Sequence, residues 1–247
     1  MALLVVIVAI VVFVVKKNNN TTTTATTSPG LSTAAADAAL AATINLHQTD
    51  LPAGWVPGVT TGQPARPPVA PAAAQTQATS ALAQCLGTTP ATVSGLFAGT
   101  VLPGQSGAAT SPVFQSPTDA TIRMYSTTRV MTTAADAKAL ATPFTSASFL
   151  SCYTAYQTSV TSAAVAGATA SVQSVPLAAP AGVQTFAYLT TLTIPGQGTE
   201  IIGQAFIIGG RIESTLEPTT AGVQVPSDAF TSAYTAVSGR VGQNITK

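Results

Sequence analysis

Residues 200–217 read EIIGQAFIIGGRIESTLE, two largely apolar segments that meet at the glycine pair 209–210. Two adjacent glycines between such segments are typical of a two-residue β-hairpin turn, because glycine accepts the positive φ values that this turn needs. The turn would pair Ile208 with Arg211 and so set the register of both strands. The stretch therefore predicts a long antiparallel hairpin at the centre of the fold.

The alternation along this hairpin predicts one buried face and one solvated face. Ala205 and Ile207 share the face that we expect to be buried, whereas Glu213 and Glu217 fall on the other, which we interpret as the solvent side. Antiparallel sheets commonly pack one face on the core and leave the other in water. We therefore expect helices on one sheet face only.

Further strands and helices are predicted on both sides of the hairpin. Period-two alternation indicates strands, whereas apolar spacings of three and four indicate helices. Residues 88–109, rich in Gly and Pro, are predicted to be loop. Strands are expected at 121–131, 169–175 and 185–194, and helices at 32–48, 75–86, 145–158 and from Ser227 onward. The predicted fold class is α+β, an antiparallel sheet with helices packed on one face, preceded by a single N-terminal transmembrane helix.

The N-terminal residues 2–15 are apolar without exception and are followed by Lys16 and Lys17. We interpret residues 1–17 as a membrane anchor, 18–31 as a Thr/Asn-rich disordered tether and 32–247 as a single domain. A cleaved signal peptide is the alternative, but the basic start and the small-residue cleavage site that it needs are missing. The two lysines favour a cytoplasmic domain under the positive-inside rule, against the extracytoplasmic location that we prefer.

Composition and cysteine count argue for the outside of the cell. Charged residues make up 7 % of the chain and the net charge is +1, which leaves no basic surface for nucleic acid. The two cysteines, Cys85 and Cys152, lie far apart in the sequence and lack a Cys-x-x-Cys motif, so one disulfide is the natural pairing. Two buried free thiols are the alternative, whereas a disulfide indicates an oxidising compartment.

Catalytic motifs are weak in this sequence. The single histidine, His47, is placed on the apolar face of the first predicted helix, with Asp50 one turn later. Ser106 lies in a Gly-Gln-Ser-Gly stretch that lacks the spacing of a nucleophile elbow, so we expect it in a loop. No metal or cofactor motif occurs, and we predict neither metal nor cofactor. The sequence favours a protein that is not an enzyme, with an envelope hydrolase based on His47 and a serine as the alternative.

One group of side chains is a candidate ligand site. Arg123, Tyr125 and Arg129 alternate onto a single face of the strand at 121–131. Two guanidinium groups beside an aromatic ring would suit an anionic or sugar-like ligand. The alternative is a solvated outer face with arginine stems lying over the tyrosine.

Three short motifs carry a family resemblance: residues 50–55 (DLPAGW), residues 85–87 (CLG) and residues 149–153 (FLSCY). With the anchor, tether and closing helix, they resemble membrane-anchored or secreted actinobacterial proteins without an assigned activity. They also resemble the extracytoplasmic sensor domains of mycobacterial serine/threonine kinases. The resemblance implies a disulfide-linked α+β domain from about residue 32 to the end. This chain departs from the kinase pattern in having one cysteine pair and no kinase segment, so a signalling role is not carried over.

These observations together predict a membrane-tethered, extracytoplasmic, sensor-like domain that binds a small molecule or an envelope partner. A purely structural component of the cell envelope is a further alternative. The expected partners are the membrane, through the N-terminal helix, and a ligand of unknown specificity, with no nucleic acid.

Overall fold

The computed structural model describes residues 34–58 and 70–246. The predicted anchor and tether lie outside these residues. Helices and strands alternate through the described part as follows: α1 (Ala34–Ile44), β1 (Val56–Pro57), α2 (Ala72–Leu86), α3 (Pro90–Ala98), β2 (Gln105–Thr110), β3 (Phe114–Gln115), β4 (Arg123–Met131), α4 (Ala134–Ala139), α5 (Phe149–Ala164), β5 (Thr169–Ser174), β6 (Gln184–Ile194), β7 (Gly198–Gly209), β8 (Ile212–Ala221) and α6 (Ser227–Gln243). Among the described residues, no helix has the length and apolar character needed to span a membrane.

The strands form one antiparallel sheet in the order β1-β3-β4-β8-β7-β6-β5, and β2 also pairs with β4. The last strands form a meander, in which β6, β7 and β8 pair with their neighbours along the chain. The α+β class with an antiparallel sheet is therefore confirmed. β4, β8 and β7 occupy the three middle positions of this order and are the central strands of the sheet.

The central hairpin forms with a turn one residue later than predicted. Gly209 pairs with Ile212, so the turn residues are Gly210 and Arg211, and Ile208 pairs with Glu213 instead of Arg211. A Cβ atom at Gly210, where φ is +55°, would lie 2.3 Å from the carbonyl oxygen of Ile245. Only glycine fits this position. The register differs from the predicted one by two residues, and an even shift leaves each side chain on its predicted face.

Both sheet faces are covered, so the prediction of helices on one face is wrong. On one face, Ala205 and Ile207 pack with residues of α1 and α6; on the other, Phe206 and Ile208 pack with residues of α2, α3 and α5. A strand buried on both faces shows a continuous apolar run instead of alternation. The run at 205–208, Ala-Phe-Ile-Ile, is such a signal.

The helix predictions hold best where caps are strong. Gly87 ends α2 in the left-handed conformation with φ of 63°, as its position predicts.

The predicted first helix stops at Ile44 and not at residue 48. The stretch predicted as loop, 88–109, holds α3 and most of β2. Thr89 caps α3 and Pro90 occupies its first turn, a start signal that the glycine and proline content concealed.

A disulfide joins Cys85 at the end of α2 to Cys152 in α5, which confirms the predicted pairing. The two residues are separated by 67 positions, and their Cα atoms lie 6.0 Å apart. The bond fastens two helices on the same side of the sheet.

Candidate functional site

The three predicted ligand-binding residues share one face of β4, as their alternation requires. At one end Arg123 pairs with Thr219 of β8, and at the other end Arg129 pairs with Glu213. Tyr125 lies between them. The two arginines nevertheless have different surroundings, which decides what each side chain offers to a ligand.

Arg129 is buried against α3, with 3 % of its surface exposed. Its Nη1 donates to Glu213 Oε2 at 2.7 Å, and its Nη2 donates to the carbonyl oxygen of Gly95 at 2.9 Å. Glu213 is fully buried and accepts a second hydrogen bond, from Thr215 Oγ1 at 2.6 Å. The interpretation of Glu213 as a solvent-side residue is therefore wrong. Its carboxylate neutralises the guanidinium of Arg129 inside the protein.

A chain of hydrogen bonds crosses the sheet from Tyr125. Tyr125 OH donates to Glu217 Oε1 at 2.5 Å, and Gln204 Nε2 donates to Glu217 Oε2 at 3.1 Å. Tyr153 OH donates to Gln204 Oε1 at 2.6 Å, and Gln157 Nε2 donates to Tyr153 OH at 2.6 Å. The chain links β4, β8 and β7 to α5 and holds the Glu217 carboxylate in a fixed orientation.

Arg123 is half-buried two residues from Tyr125 on the same face. Within residues 34–58 and 70–246, its guanidinium makes no hydrogen bond and no ion pair. We call Arg123, Tyr125, Gln204 and Glu217 the polar face. Gln204 is 7 % exposed, whereas Arg123, Tyr125 and Glu217 are half-buried and reach solvent from central strands.

The other end of the same sheet face is closed by aromatic side chains. The Phe97 ring centroid lies 4.7 Å from that of Tyr153 and 5.6 Å from that of Phe206. Burial raises the pKa of the Tyr153 phenol, and it raises the pKa of Tyr188 to about 12. Both phenols are thus neutral hydrogen-bond donors at physiological pH. The polar face thus borders a buried aromatic cluster on the same side of the sheet.

His47 is exposed in the turn after α1, so its predicted place on an apolar helix face is wrong. Its backbone N–H donates to Asp50 Oδ2 at 2.7 Å, and its ring Nε2 lies 3.2 Å from the carbonyl oxygen of Thr43. Arg240 engages both carboxylate oxygens of Asp50, at 2.6 and 3.0 Å. No hydrogen bond joins the ring to a serine in the described ranges, so the hydrolase alternative lacks a His–Ser contact there.

Ser106 lies in β2 and not in a loop. Its Oγ donates to Asp37 Oδ2 at 2.6 Å, and Nη2 of Arg211 donates to the same oxygen at 2.8 Å. Asp37 belongs to α1 and is 2 % exposed. These three side chains connect α1 to the sheet, so their role is structural.

A shallow groove of about 660 Å³ lies between the turn after α1 and the first half of α6. Hydroxyl side chains dominate its lining, which includes Thr49, Thr231 and Ser232, together with the carboxylates of Asp50 and Asp228. The Asp50 charge is balanced by Arg240. In the described part of the chain, no three His, Cys, Asp or Glu side chains are grouped closely enough to hold a metal ion.

Two members of the polar face, Gln204 and Glu217, were missed by the sequence analysis. Glu217 was interpreted as solvent-side alternation, because its partner Tyr125 lies 92 residues away. Pairing between β4 and β8 brings them together, and the hydrophobic pattern of a single sequence does not reveal such a pairing.

Comparison with known proteins gives a structural likeness at low sequence identity. No family model matches the chain, and no curated protein matches it. Among solved structures, it is similar to the extracellular domain of PknH from Mycobacterium tuberculosis, with a TM-score of 0.38 and 12 % sequence identity. The match covers 61 % of this chain and 70 % of that chain.

Proposed function

We propose that this chain is a non-catalytic, sensor-like ligand-binding domain that works outside the cytoplasm and is held at the membrane by residues 2–15. The observation that carries the proposal is the polar face. Arg123, Tyr125 and Glu217 reach solvent from central strands, and the guanidinium of Arg123 has no partner among the described residues. Polar groups that a fold leaves accessible on rigid strands are well suited to binding a ligand.

The rigidity of the polar face supports binding in particular. Tyr125, Gln204 and Glu217 are fixed by mutual hydrogen bonds, and the chain continues to Tyr153 in α5. Groups that are already oriented lose little conformational freedom when a ligand arrives, so more of the interaction energy appears as affinity.

The extracytoplasmic location is supported by the Cys85–Cys152 disulfide, since such bonds persist in oxidising compartments. The scarcity of charge, 7 % of residues against a usual value of about 25 %, fits an envelope or secreted protein. The non-catalytic assignment is supported by the surroundings of His47, whose ring contacts a backbone carbonyl.

A binding survey on the full-length chain in detergent micelles tests this function. Saturation-transfer NMR would be recorded with neutral glycosides and with oxyanions, for the unmodified chain, for Arg123→Ala and for Lys138→Ala. Lys138 is exposed on α4 and serves as the charge-matched control. We expect at least one probe to bind the unmodified chain and the control, and to lose its signal in Arg123→Ala. An absence of binding by every probe, or binding that Arg123→Ala leaves unchanged, contradicts the proposal.

A further inference from the structure

We propose that the outer edge of β5 pairs with β5 of a second copy of this chain, so that two sheets join across a two-fold axis at Val172. β5 is the terminal strand of the sheet, and within the described ranges it pairs with β6 alone. A strand in this position presents a row of unpaired backbone N–H and C=O groups. β6 separates this edge from the polar face, so dimerisation and ligand binding are separate properties.

The two ends of the sheet differ in how they are protected. β1, at the opposite end, is two residues long and contains Pro57. A short edge strand and a proline are both common protections against pairing with another chain. β5 is six residues long, contains neither proline nor a charged residue, and keeps an unbroken register with β6. It is therefore the end of the sheet that is open to a further strand.

The charge of this region favours a second copy as the partner. No Asp, Glu, Lys or Arg occurs from residue 139 to residue 199, a stretch that contains α5, β5 and β6. A second copy brings the same charges to a two-fold interface, so a charged surface repels itself, whereas this one does not.

The helix beside the edge leaves room for a second copy. α5 contacts β5, and its exposed side chains from residue 154 onward are small: Ala155, Ser159, Ser162 and Ala163. The α5 helices of two copies can therefore lie next to each other over the joined strands.

One hydrogen bond shows which backbone groups of β5 point away from β6. The Val175 N–H donates to the carbonyl oxygen of Ala187 in β6 at 2.8 Å. In an antiparallel pair, residues that exchange hydrogen bonds alternate with residues that do not. The N–H and C=O groups that point to the open edge are therefore those of Ala170, Val172 and Ser174.

A two-fold axis at Val172 satisfies all of these groups. Val172 then pairs with Val172 of the partner subunit, and Ala170 pairs with Ser174 of the partner subunit. Each of these pairs exchanges two hydrogen bonds, so every outward N–H and C=O of β5 is matched. The joined sheet ends in a protected β1 strand on both sides, which closes the assembly as a dimer.

Cysteine cross-linking tests this register on the full-length chain in detergent micelles. The register places Ser171 opposite Gln173 of the partner subunit, and both side chains are exposed. A chain with Ser171→Cys is mixed, under mild oxidation, with a mass-tagged chain that carries Gln173→Cys. Opposite residues of a pair without hydrogen bonds have Cα atoms about 4.5 Å apart, within the range of about 4.4–6.8 Å that a disulfide spans. Ser162→Cys, at an exposed position of α5, replaces Ser171→Cys in the control mixture.

We expect a disulfide-linked mixed dimer from Ser171→Cys and Gln173→Cys, and its loss in the control mixture. Urea unfolding verifies that each variant is folded. A cross-link that does not form, or that forms equally fast in the control, overturns the dimer. The proposed function then stands, because its own test measures ligand binding at Arg123.

A charge exchange provides a second measurement. Ser171→Lys/Gln173→Lys places a lysine opposite a lysine, and we expect loss of the dimer because like charges directly opposite each other are destabilising. Ser171→Lys/Gln173→Glu places a lysine opposite a glutamate, and we expect the dimer to persist. Light scattering, corrected for detergent, gives the molar mass of the unmodified chain and of both variants. A molar mass that does not distinguish the two variants overturns the proposed pairing.

Discussion

Gly107 is the residue through which α1 approaches the sheet most closely. A Cβ atom at this position would lie 2.5 Å from the backbone nitrogen of Ala38 and 2.6 Å from the backbone carbon of Asp37. Backbone atoms do not move aside as the end of a flexible side chain does. The sequence alone identified residues 104–107 as a loop, so this constraint becomes visible only when α1 and β2 meet.

We predict that Gly107→Ala lowers the free energy of unfolding by about 1–3 kcal/mol, the usual cost of an overpacked site. Gly239 in α6 is the control, since a Cβ there meets nothing within 4 Å. Gly239→Ala should raise stability by about 0.5–1 kcal/mol through helix propensity. Urea unfolding of both variants measures the difference. Equal effects of the two substitutions would contradict the close approach of α1 to Gly107 in β2.

The Arg129–Glu213 pair is fully enclosed, and its two side chains depend on each other. We predict that Glu213→Leu costs about 3–5 kcal/mol, because it leaves the Arg129 charge buried without a counter-ion. The double variant Arg129→Met/Glu213→Leu should recover much of that loss. Chemical denaturation of the single and double variants forms the cycle. A double variant no more stable than Glu213→Leu contradicts the pairing.

At the residue scale, the shared face of Arg123, Tyr125 and Arg129 was predictable, because strand alternation is a local property. The different surroundings of Arg123 and Arg129 were not predictable. It depends on Glu213, which lies 84 residues from Arg129, and on the Gly95 carbonyl of a helix that the sequence did not reveal.

At the scale of elements, Arg240 connects α6 to the turn that follows α1. Its guanidinium binds Asp50 at 2.6 and 3.0 Å and the carbonyl oxygens of Ile44 and Asn45 at 3.1 and 2.8 Å. Burial acts to raise the pKa of Asp50, but the hydrogen bonds from Arg240 and from the His47 N–H, with the attraction of their charges, outweigh it. The net pKa lies below the ordinary value.

A depressed carboxyl pKa makes this connection sensitive to acid. The unfolded pKa of an aspartate is about 3.9, so the stabilisation is complete above that pH and disappears as the pH falls through the lower pKa of the folded state. We predict that below about pH 4 the free energy of unfolding of Asp50→Asn falls less steeply with decreasing pH than that of the unmodified chain. Urea midpoints between neutral and acidic pH test this. A slope identical to that of the unmodified chain contradicts the assignment. Asp228→Asn, at an exposed position of α6, is the matched control.

Element boundaries were predictable where the termination signal is local. The end of α2 at Gly87 was predicted correctly from the glycine itself. The end of the first helix was not, because the apolar spacing continues past Ile44 while the backbone turns so that Leu46 can donate its N–H to Ser126 Oγ. That tertiary hydrogen bond overrides the local pattern.

At the scale of the molecule, the disulfide joins residues with a sequence separation of 67 and fastens α2 to α5. In the chain-entropy model a loop of this size contributes about 4 kcal/mol. We predict that reduction lowers the urea midpoint accordingly. The variant Cys85→Ser/Cys152→Ala should not respond to reductant. An unchanged midpoint with both thiols shown to be free would falsify this role.

The sheet, its antiparallel meander and the cysteine pair were all predictable at this scale. The number of covered faces was misjudged because the alternation of β8 outweighed the continuous apolar run at 205–208 in β7. The exposure of each polar side chain depends on how helices from both ends of the chain pack on the sheet. The local pattern of a single sequence does not reveal such long-range packing.

The central claim is that the domain works outside the cytoplasm, and thiol labelling of intact cells tests it most directly. Cys85 is exposed, whereas Cys152 is 4 % exposed, so Cys85 is the residue to follow. With a membrane-impermeant maleimide and mass analysis, we predict no label on Cys85 until an impermeant reductant is added, and labelling afterwards. Label that appears without reductant, and only after the membrane is permeabilised, would place a reduced Cys85 in the cytoplasm and contradict the account.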